Sequence, residues 1–198
     1  MLRRLRLTTG IGLLLAALSP GFAGADPALP ELHIVFPQDA KATEFASSFG
    51  LLKPDGRGHE GNDLTAPKMT PVLAAADGVV THIDTSPTAG NYLIIHHTGG
   101  WSTWYIHLNN DTPGTDDGAA SWDQVVAEGI SVGTFVTAGQ HIAYVGDSGN
   151  AEGTMAHTHF ELQFEGSPID PYEYLVEACE RALRVARLEL LSALEAAG

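Results

Sequence analysis

Gly, Pro, Asn and Asp recur at short intervals between residues 30 and 171 and cut the chain into brief runs of strand character. Few of these runs are long or periodic enough for a helix, so this stretch must build its core from short strands joined by turns. Candidate strands cover 31–36, 44–49, 71–75, 78–83, 92–97, 101–107, 134–136, 141–145 and 158–164. The pattern predicts a mainly β fold, an antiparallel β-sandwich or barrel-like sheet. Two stretches depart from it. Residues 109–137 form a long acidic loop, with one or two helical turns expected over 121–127. An excursion of that length is usually functional or mobile. Beyond Pro171 the apolar period becomes helical, with Leu175, Cys179, Leu183, Ala186, Leu190 and Leu194 on one face. Glu177/Arg181 and Glu180/Arg184 add acid-first pairs at four-residue spacing. The resulting C-terminal amphipathic helix, 176–198, is expected to pack on the domain, with pairing or partner docking as a second reading.

The N-terminal residues 1–25 read as a secretory signal peptide. Arg3, Arg4 and Arg6 precede an apolar run, Leu7 to Leu18, and Ala23-Gly24-Ala25 offers a small-x-small cleavage pattern. The run is too short to span a bilayer comfortably, so cleavage is preferred over an uncleaved anchor. Residues 26–35 then read as a linker and first strand. The expected location is periplasmic or extracellular, with no stable membrane insertion once the signal is removed. Cys179 stands alone, so no internal disulfide can hold the fold, and the core or a metal must do so. Charge narrows the partners further. The chain carries 24 acidic against 10 basic residues, a net −14, and no Lys or Arg occurs between Met69 and Glu180. Nucleic acid and anionic membrane surfaces need clustered cations and are excluded as partners.

Chemistry is concentrated in histidine, of which there are nine. The segment His157-Thr158-His159-Phe160-Glu161-Leu162-Gln163-Phe164 alternates polar and apolar throughout. On a strand, His157, His159, Glu161 and Gln163 share one face while Phe160, Leu162 and Phe164 enter the core. Two imidazoles so placed can meet one ion, or an ion and its water; a solvated strand face is the competing reading. His59 and Asp63 supply a further imidazole and carboxylate in a turn-rich segment. Two nitrogen ligands and one oxygen ligand leave a fourth position open for water, the arrangement of a catalytic zinc rather than a structural one. A strand over 101–108 puts Thr103, Tyr105 and His107 on one face, where the imidazole can reach the metal water. His33, His82, His96, His97 and His141 lack informative spacing and read as ordinary strand or turn residues.

In their order, His-x-x-x-Asp, Tyr-x-His-Leu and His-x-His-Phe-Glu resemble the lysostaphin/LytM-type zinc endopeptidases of bacterial cell walls. The framework segments 61–67, 71–80, 90–92, 139–146 and Asp170-Pro171 resemble that family too, so the likeness runs over 36–175. It implies a zinc endopeptidase domain there, with Zn²⁺ held by His59, Asp63 and His159 and with His107 and His157 as catalytic histidines. It also implies peptidoglycan stem peptides or cross-bridges as substrate. Three positions depart from the family's pattern. Ala156 replaces a proline, Thr158 an apolar residue, and Met69 stands where a turn glycine is common. The 109–137 loop is longer than in compact members and is expected to wall the groove.

Other readings compete with this one. A non-enzymatic regulator of wall hydrolases fits the same resemblance, but the ligand residues are all present. A non-haem Fe(II) triad also uses two His and a carboxylate, though His-x-x-x-Asp has the wrong spacing for it. Asp111, Asp116 and Asp117, with Gly114 and Gly118, have enough oxygens for Ca²⁺ but no EF-hand spacing, and an acidic solvated loop is expected instead. Oligomeric state is not legible in the sequence.

Overall fold

Strict polar/apolar alternation makes residues 157–164 a strand with one face for the core and one for solvent, and the sheet is arranged around it. The computed structural model describes residues 29–53 and 56–197, so the expected signal segment lies outside the described residues. In chain order the described elements are β1 (Asn62–Thr65), β2 (Pro71–Leu73), β3 (Gly78–Ser86), β4 (Gly90–His96), β5 (Trp101–Leu108), β6 (Phe135–Val136), β7 (His141–Tyr144), β8 (His157–Phe164), β9 (Ser167–Ile169) and α1 (Tyr172–Ala197). Seven strands form one sheet in the order β1-β8-β5-β4-β3-β6, with β9 folded back on β8, and β2 pairs with β7 separately. Every pairing is antiparallel. The mainly β, barrel-like antiparallel architecture expected from the sequence is the one observed.

Phe160 and Leu162 of β8 are buried against Leu64, Leu93, Ile95 and Tyr105 of the neighbouring strands. Val72 of β2, Ile142 of β7 and Leu175 of α1 close the same core from the other side. Each such side chain contributes about 1.5–3 kcal/mol by leaving water. The opposite face of β8 carries His159, paired with Ile106, and Glu161, paired with Trp104. The β8–β9 turn is Glu165-Gly166, both with positive φ, which suits the twist of a two-residue hairpin.

Several boundaries differ from the sequence reading. Residues 31–36 form no strand; Ile34 and Phe36 are buried there, and Val35 donates its N–H to the Ala75 carbonyl. Residues 44–49 contribute only an isolated bridge from Glu44 to Thr65. Strands β1 and β9 lie outside the candidate ranges, because Asn62-Asp63 and Ser167-Pro168 are turn-like in composition. The 109–137 loop makes a 3₁₀ turn at Trp122–Gln124, closed by reciprocal Ser121/Gln124 bonds, and then buries Val125, Val126, Ala127 and Ile130 in the core.

The acidic part of that loop is solvated over 113–119, as expected, and anchored at its base. Lys68 reaches Asp111 at 2.6 Å, Asp116 at 2.5 Å and Asp147 at 2.8 Å, and both Asp111 and Asp147 are buried. Desolvation opposes the ammonium charge, but the three carboxylates outweigh it and hold the Lys68 pKa above its usual range. Helix α1 buries Leu175 and Ala178, and Arg181 donates to the Ile34 carbonyl at 2.7 Å. The rest of the expected apolar face, Leu183, Leu190 and Leu194, is exposed.

Met69, the position where a turn glycine is common in the resembled family, has φ of 68°. This left-handed conformation costs a non-glycine residue about 1 kcal/mol. Met69→Gly is expected to raise stability by about 0.5–1 kcal/mol, and Met69→Val to lower it by at least as much. Urea midpoints should fall in the order Gly, Met, Val; any other order removes the strain assigned to this turn.

Candidate metal centre and flanking histidines

Strand β1 lies beside β8 with Asp63 opposite His159 and Thr65 opposite His157. That register brings the carboxylate of one strand to the imidazoles of the other. Asp63 Oδ1 is 2.9 Å from His159 Nδ1, 3.1 Å from His59 Nε2 and 3.8 Å from His157 Nε2. His59 precedes β1 and stacks at a tilt on His159, ring centroids 4.5 Å apart. One atom each from His59, Asp63 and His159 falls within a 4.8 Å cluster. Gly61 makes this approach possible, because a Cβ there would collide with the Phe160 carbonyl and stand 3.0 Å from His159 Nε2.

The outer hydrogen bonds fix which nitrogen faces inward. His59 Nδ1 lies 3.1 Å from the Ser48 carbonyl, which can only accept, so Nδ1 carries the proton and Nε2 presents a lone pair. His159 Nε2 lies 3.1 Å from Glu161 Oε1, and Glu161 Oε2 accepts a 2.7 Å bond from Gln163. With that nitrogen donating to Glu161, His159 Nδ1 is the acceptor facing Asp63. Two imidazole lone pairs and a carboxylate oxygen therefore converge on one place. Such a cluster requires a proton or a cation among its members. Burial works against charge on Asp63, but bonds with His159 and His59 outweigh it and hold the carboxyl well below its usual range. Burial also opposes protonation of His159, yet Asp63 and Glu161 outweigh it and raise its pKa. The cluster thus attracts positive charge.

His107 reaches the same cleft by a route that simple alternation does not give. Thr103 and Tyr105, expected beside it, point into the core, where Tyr105 accepts the Ala75 N–H at 2.7 Å. Between Leu93↔Tyr105 and Asn91↔Leu108, β5 carries one residue more than β4. The bulge gives His107 a φ of 62° and returns Leu108 to the core. His107 is thereby aimed at the site face, 5.1 Å from the His157 ring and 6.1 Å from that of His159. Its Nδ1 donates to the Ser148 carbonyl at 2.9 Å, and His157 Nδ1 donates to Met155 at 2.8 Å, leaving both Nε2 atoms as acceptors. Burial, reinforced by His157, lowers the His107 pKa to about 4.

The five residues share a cleft of about 220 Å³ with Lys53, Asn150, Ala151 and Thr154. No residue of the 109–137 loop lines it, contrary to the expectation that the loop walls the groove. Alternation places Glu161 and Gln163 on the face of His159, and the structure adds the contact of Glu161 with its imidazole and of Gln163 with Glu161. His33, His82, His97 and His141 bond elsewhere, to Glu31, Thr81, Asp77 with Thr103, and Ala143.

Comparison with known proteins agrees with the fold and the cluster. Residues 57–171 match the profile of Peptidase family M23, and the chain belongs to that family. This membership in a peptidase family removes the Fe(II) oxygenase reading. Peptidoglycan DD-endopeptidase ShyB of Vibrio cholerae is 33% identical over 112 residues, 57% of this chain and 22% of that protein. DD-carboxypeptidase/endopeptidase Mpg of Neisseria meningitidis is 36% identical over 133 residues, 65% of this chain and 26% of that one. The chain thus spans about a quarter of the length of these curated relatives. Among solved structures, a zinc-containing peptidase from Vibrio cholerae superposes with a TM-score of 0.55 at 30% identity, over 70% of this chain and 39% of that one. The catalytic domain of lysostaphin from Staphylococcus simulans shares the fold, with a TM-score of 0.53 over 67% and 92% of the two chains at 24% identity.

A histidine with a depressed pKa makes stability fall on acidification. The unfolded chain takes up the proton near about pH 6.5, whereas folded His107 resists it until about 4, so its contribution is full above pH 6.5 and lost as pH falls towards 4. The loss is on the order of 1–3 kcal/mol. Chelator-treated protein should therefore lose more stability between pH 7.5 and 4.5 than its His107→Gln variant does, measured by urea unfolding. Equal losses in the two proteins would show that His107 is not held neutral.

Proposed function

We propose that this protein is an exported zinc metalloendopeptidase that hydrolyses peptide bonds in peptidoglycan stem peptides or cross-bridges. The observation that carries the reading is the convergence of His59 Nε2, Asp63 Oδ1 and His159 Nδ1 as three acceptor atoms, the outer nitrogen of each imidazole being already hydrogen-bonded. Two nitrogens and one carboxylate oxygen suit Zn²⁺ and leave room for solvent. The named activities of ShyB and Mpg and the zinc-containing Vibrio cholerae peptidase support the substrate, the metal and a periplasmic or cell-wall location. No described helix is long and apolar enough to cross a membrane.

When bound, zinc supplies a Lewis acid that polarises a carbonyl and activates water at neutral pH. The chain's own residues do the rest. His59, Asp63 and His159 hold the ion, and Glu161 fixes the His159 tautomer and ring orientation while Gln163 holds Glu161. His107 and His157 present unprotonated Nε2 atoms to the cleft from the adjacent strands β5 and β8. A charge on His157 opposes a proton on His107, so the pair suits transfer of a single proton. It passes from the attacking water to the amine nitrogen as the C–N bond breaks.

The alternative, a non-enzymatic regulator, has no use for converging ligand atoms, and metal content separates the two. The purified protein should carry about one zinc per chain, lose cleavage of purified peptidoglycan on chelation and regain it with zinc. His159→Ala should lose the metal, whereas His107→Ala and His157→Ala should keep it and lose rate by at least about 10²-fold. Full activity without metal overturns the peptidase reading. Glu161→Ala should weaken zinc binding about 10–100-fold in a chelator competition; unchanged affinity would remove Glu161 from its positioning role.

A further inference from the structure

Helix α1 extends past the surface that covers it. Leu175 and Ala178 are buried and Cys179 and Ala182 partly so, but no residue from Arg187 to Ala197 is. Over that free stretch and the turn before it, Leu183, Leu190, Leu191 and Leu194 are 41%, 60%, 46% and 61% exposed. An unsupported helical extension of roughly ten residues is marginal in water, and leucines at this density add an uncompensated apolar stripe. Leu183, Arg187, Leu190 and Leu194 follow one another at spacings of four, three and four, those of a coiled-coil seam. Ala186 and Ala193 flank the seam and allow a close approach.

We propose that this stripe pairs with the same stripe of a second copy of the chain, the two helices running antiparallel about a two-fold axis. Charge selects both the occupant and the direction. Arg181, Arg184 and Arg187 are the first basic residues after Lys68, and they are followed by Glu189 and Glu195. Antiparallel pairing lays the basic half of one helix along the acidic half of the other, and the helix dipoles oppose favourably. Parallel pairing sets Arg187 against Arg187 inside the seam. With Leu183 of one copy against Leu194 of the other, Arg187 instead covers Leu190 with its aliphatic stem and keeps its guanidinium in solvent. Arg184 then stands within two residues of Glu195 of the second copy, and the axis makes that contact twice.

Sedimentation equilibrium of the full chain across the micromolar range is the test. A monomer–dimer equilibrium is expected, weakened at least about tenfold by Leu190→Asp with Leu194→Asp. These exposed positions leave the domain's core untouched, and zinc content and circular dichroism should match the parent. Glu195→Arg should weaken self-association, as should Arg184→Glu. Mixing the two charge variants should restore pairing as a mixed dimer. A chain that stays monomeric throughout, even if it sediments with lipid vesicles or another protein, overturns the proposal. So does a mixture that pairs no better than its components.

Discussion

The alternation of β8 is the constraint on which the rest depends. A single strand sends Phe160 and Leu162 into the core and His157, His159, Glu161 and Gln163 to the other face. The apolar side chains that hold the sheet together therefore also fix the spacing and direction of the imidazoles. Rigidity at the site comes from the core beneath it and from the outer hydrogen bonds that hold each imidazole. Its neighbours on either edge complete the arrangement: β1 contributes the Asp63 carboxylate by register, and β5 contributes His107 by a bulge.

Electrostatics in this acidic molecule is local. The net charge of −14 has no single sink; carboxylates near functional or structural sites are matched to specific cationic or proton-bearing partners. Lys68 gathers Asp111, Asp116 and Asp147 and ties the long loop to the segment before β8. Asp63 and Glu161 bracket His159 from its two nitrogens. In both places a buried carboxylate would be costly alone and is stabilised by a defined positive or hydrogen-bonding neighbour.

Much of the site could be read directly. His157 and His159 announce themselves by period two, whereas His59 and Asp63 stand out only through the resemblance of the ordered motifs to the family. The register that brings Asp63 opposite His159 is a long-range pairing and left no local trace, since Asn62-Asp63 looks like a turn. The bulge at His107 was hidden for a similar reason: periodicity assumes a regular ladder, and an extra residue in β5 shows only against β4. Residues 31–36 misled in the other direction. Their alternating apolar side chains are buried, but the backbone bonds only the Ala75 carbonyl and the Arg181 side chain rather than a strand partner. In the second half of the 109–137 loop the sequence suggests only one or two helical turns, and the burial of Val125, Val126 and Ile130 is masked by a polar, glycine-rich preamble.

The bulge gives β5 an asymmetric tolerance to change. Side chains there can be exchanged one at a time, but chain length cannot. Deleting Ile106 would make the ladder regular with Leu108 still in the core, but would draw His107 into the Ile106 position and away from the Ser148 carbonyl that holds its ring. In this strand the aim of the histidine is encoded by a residue count, and lineages of the fold should vary β5 by substitution while keeping its number of residues constant.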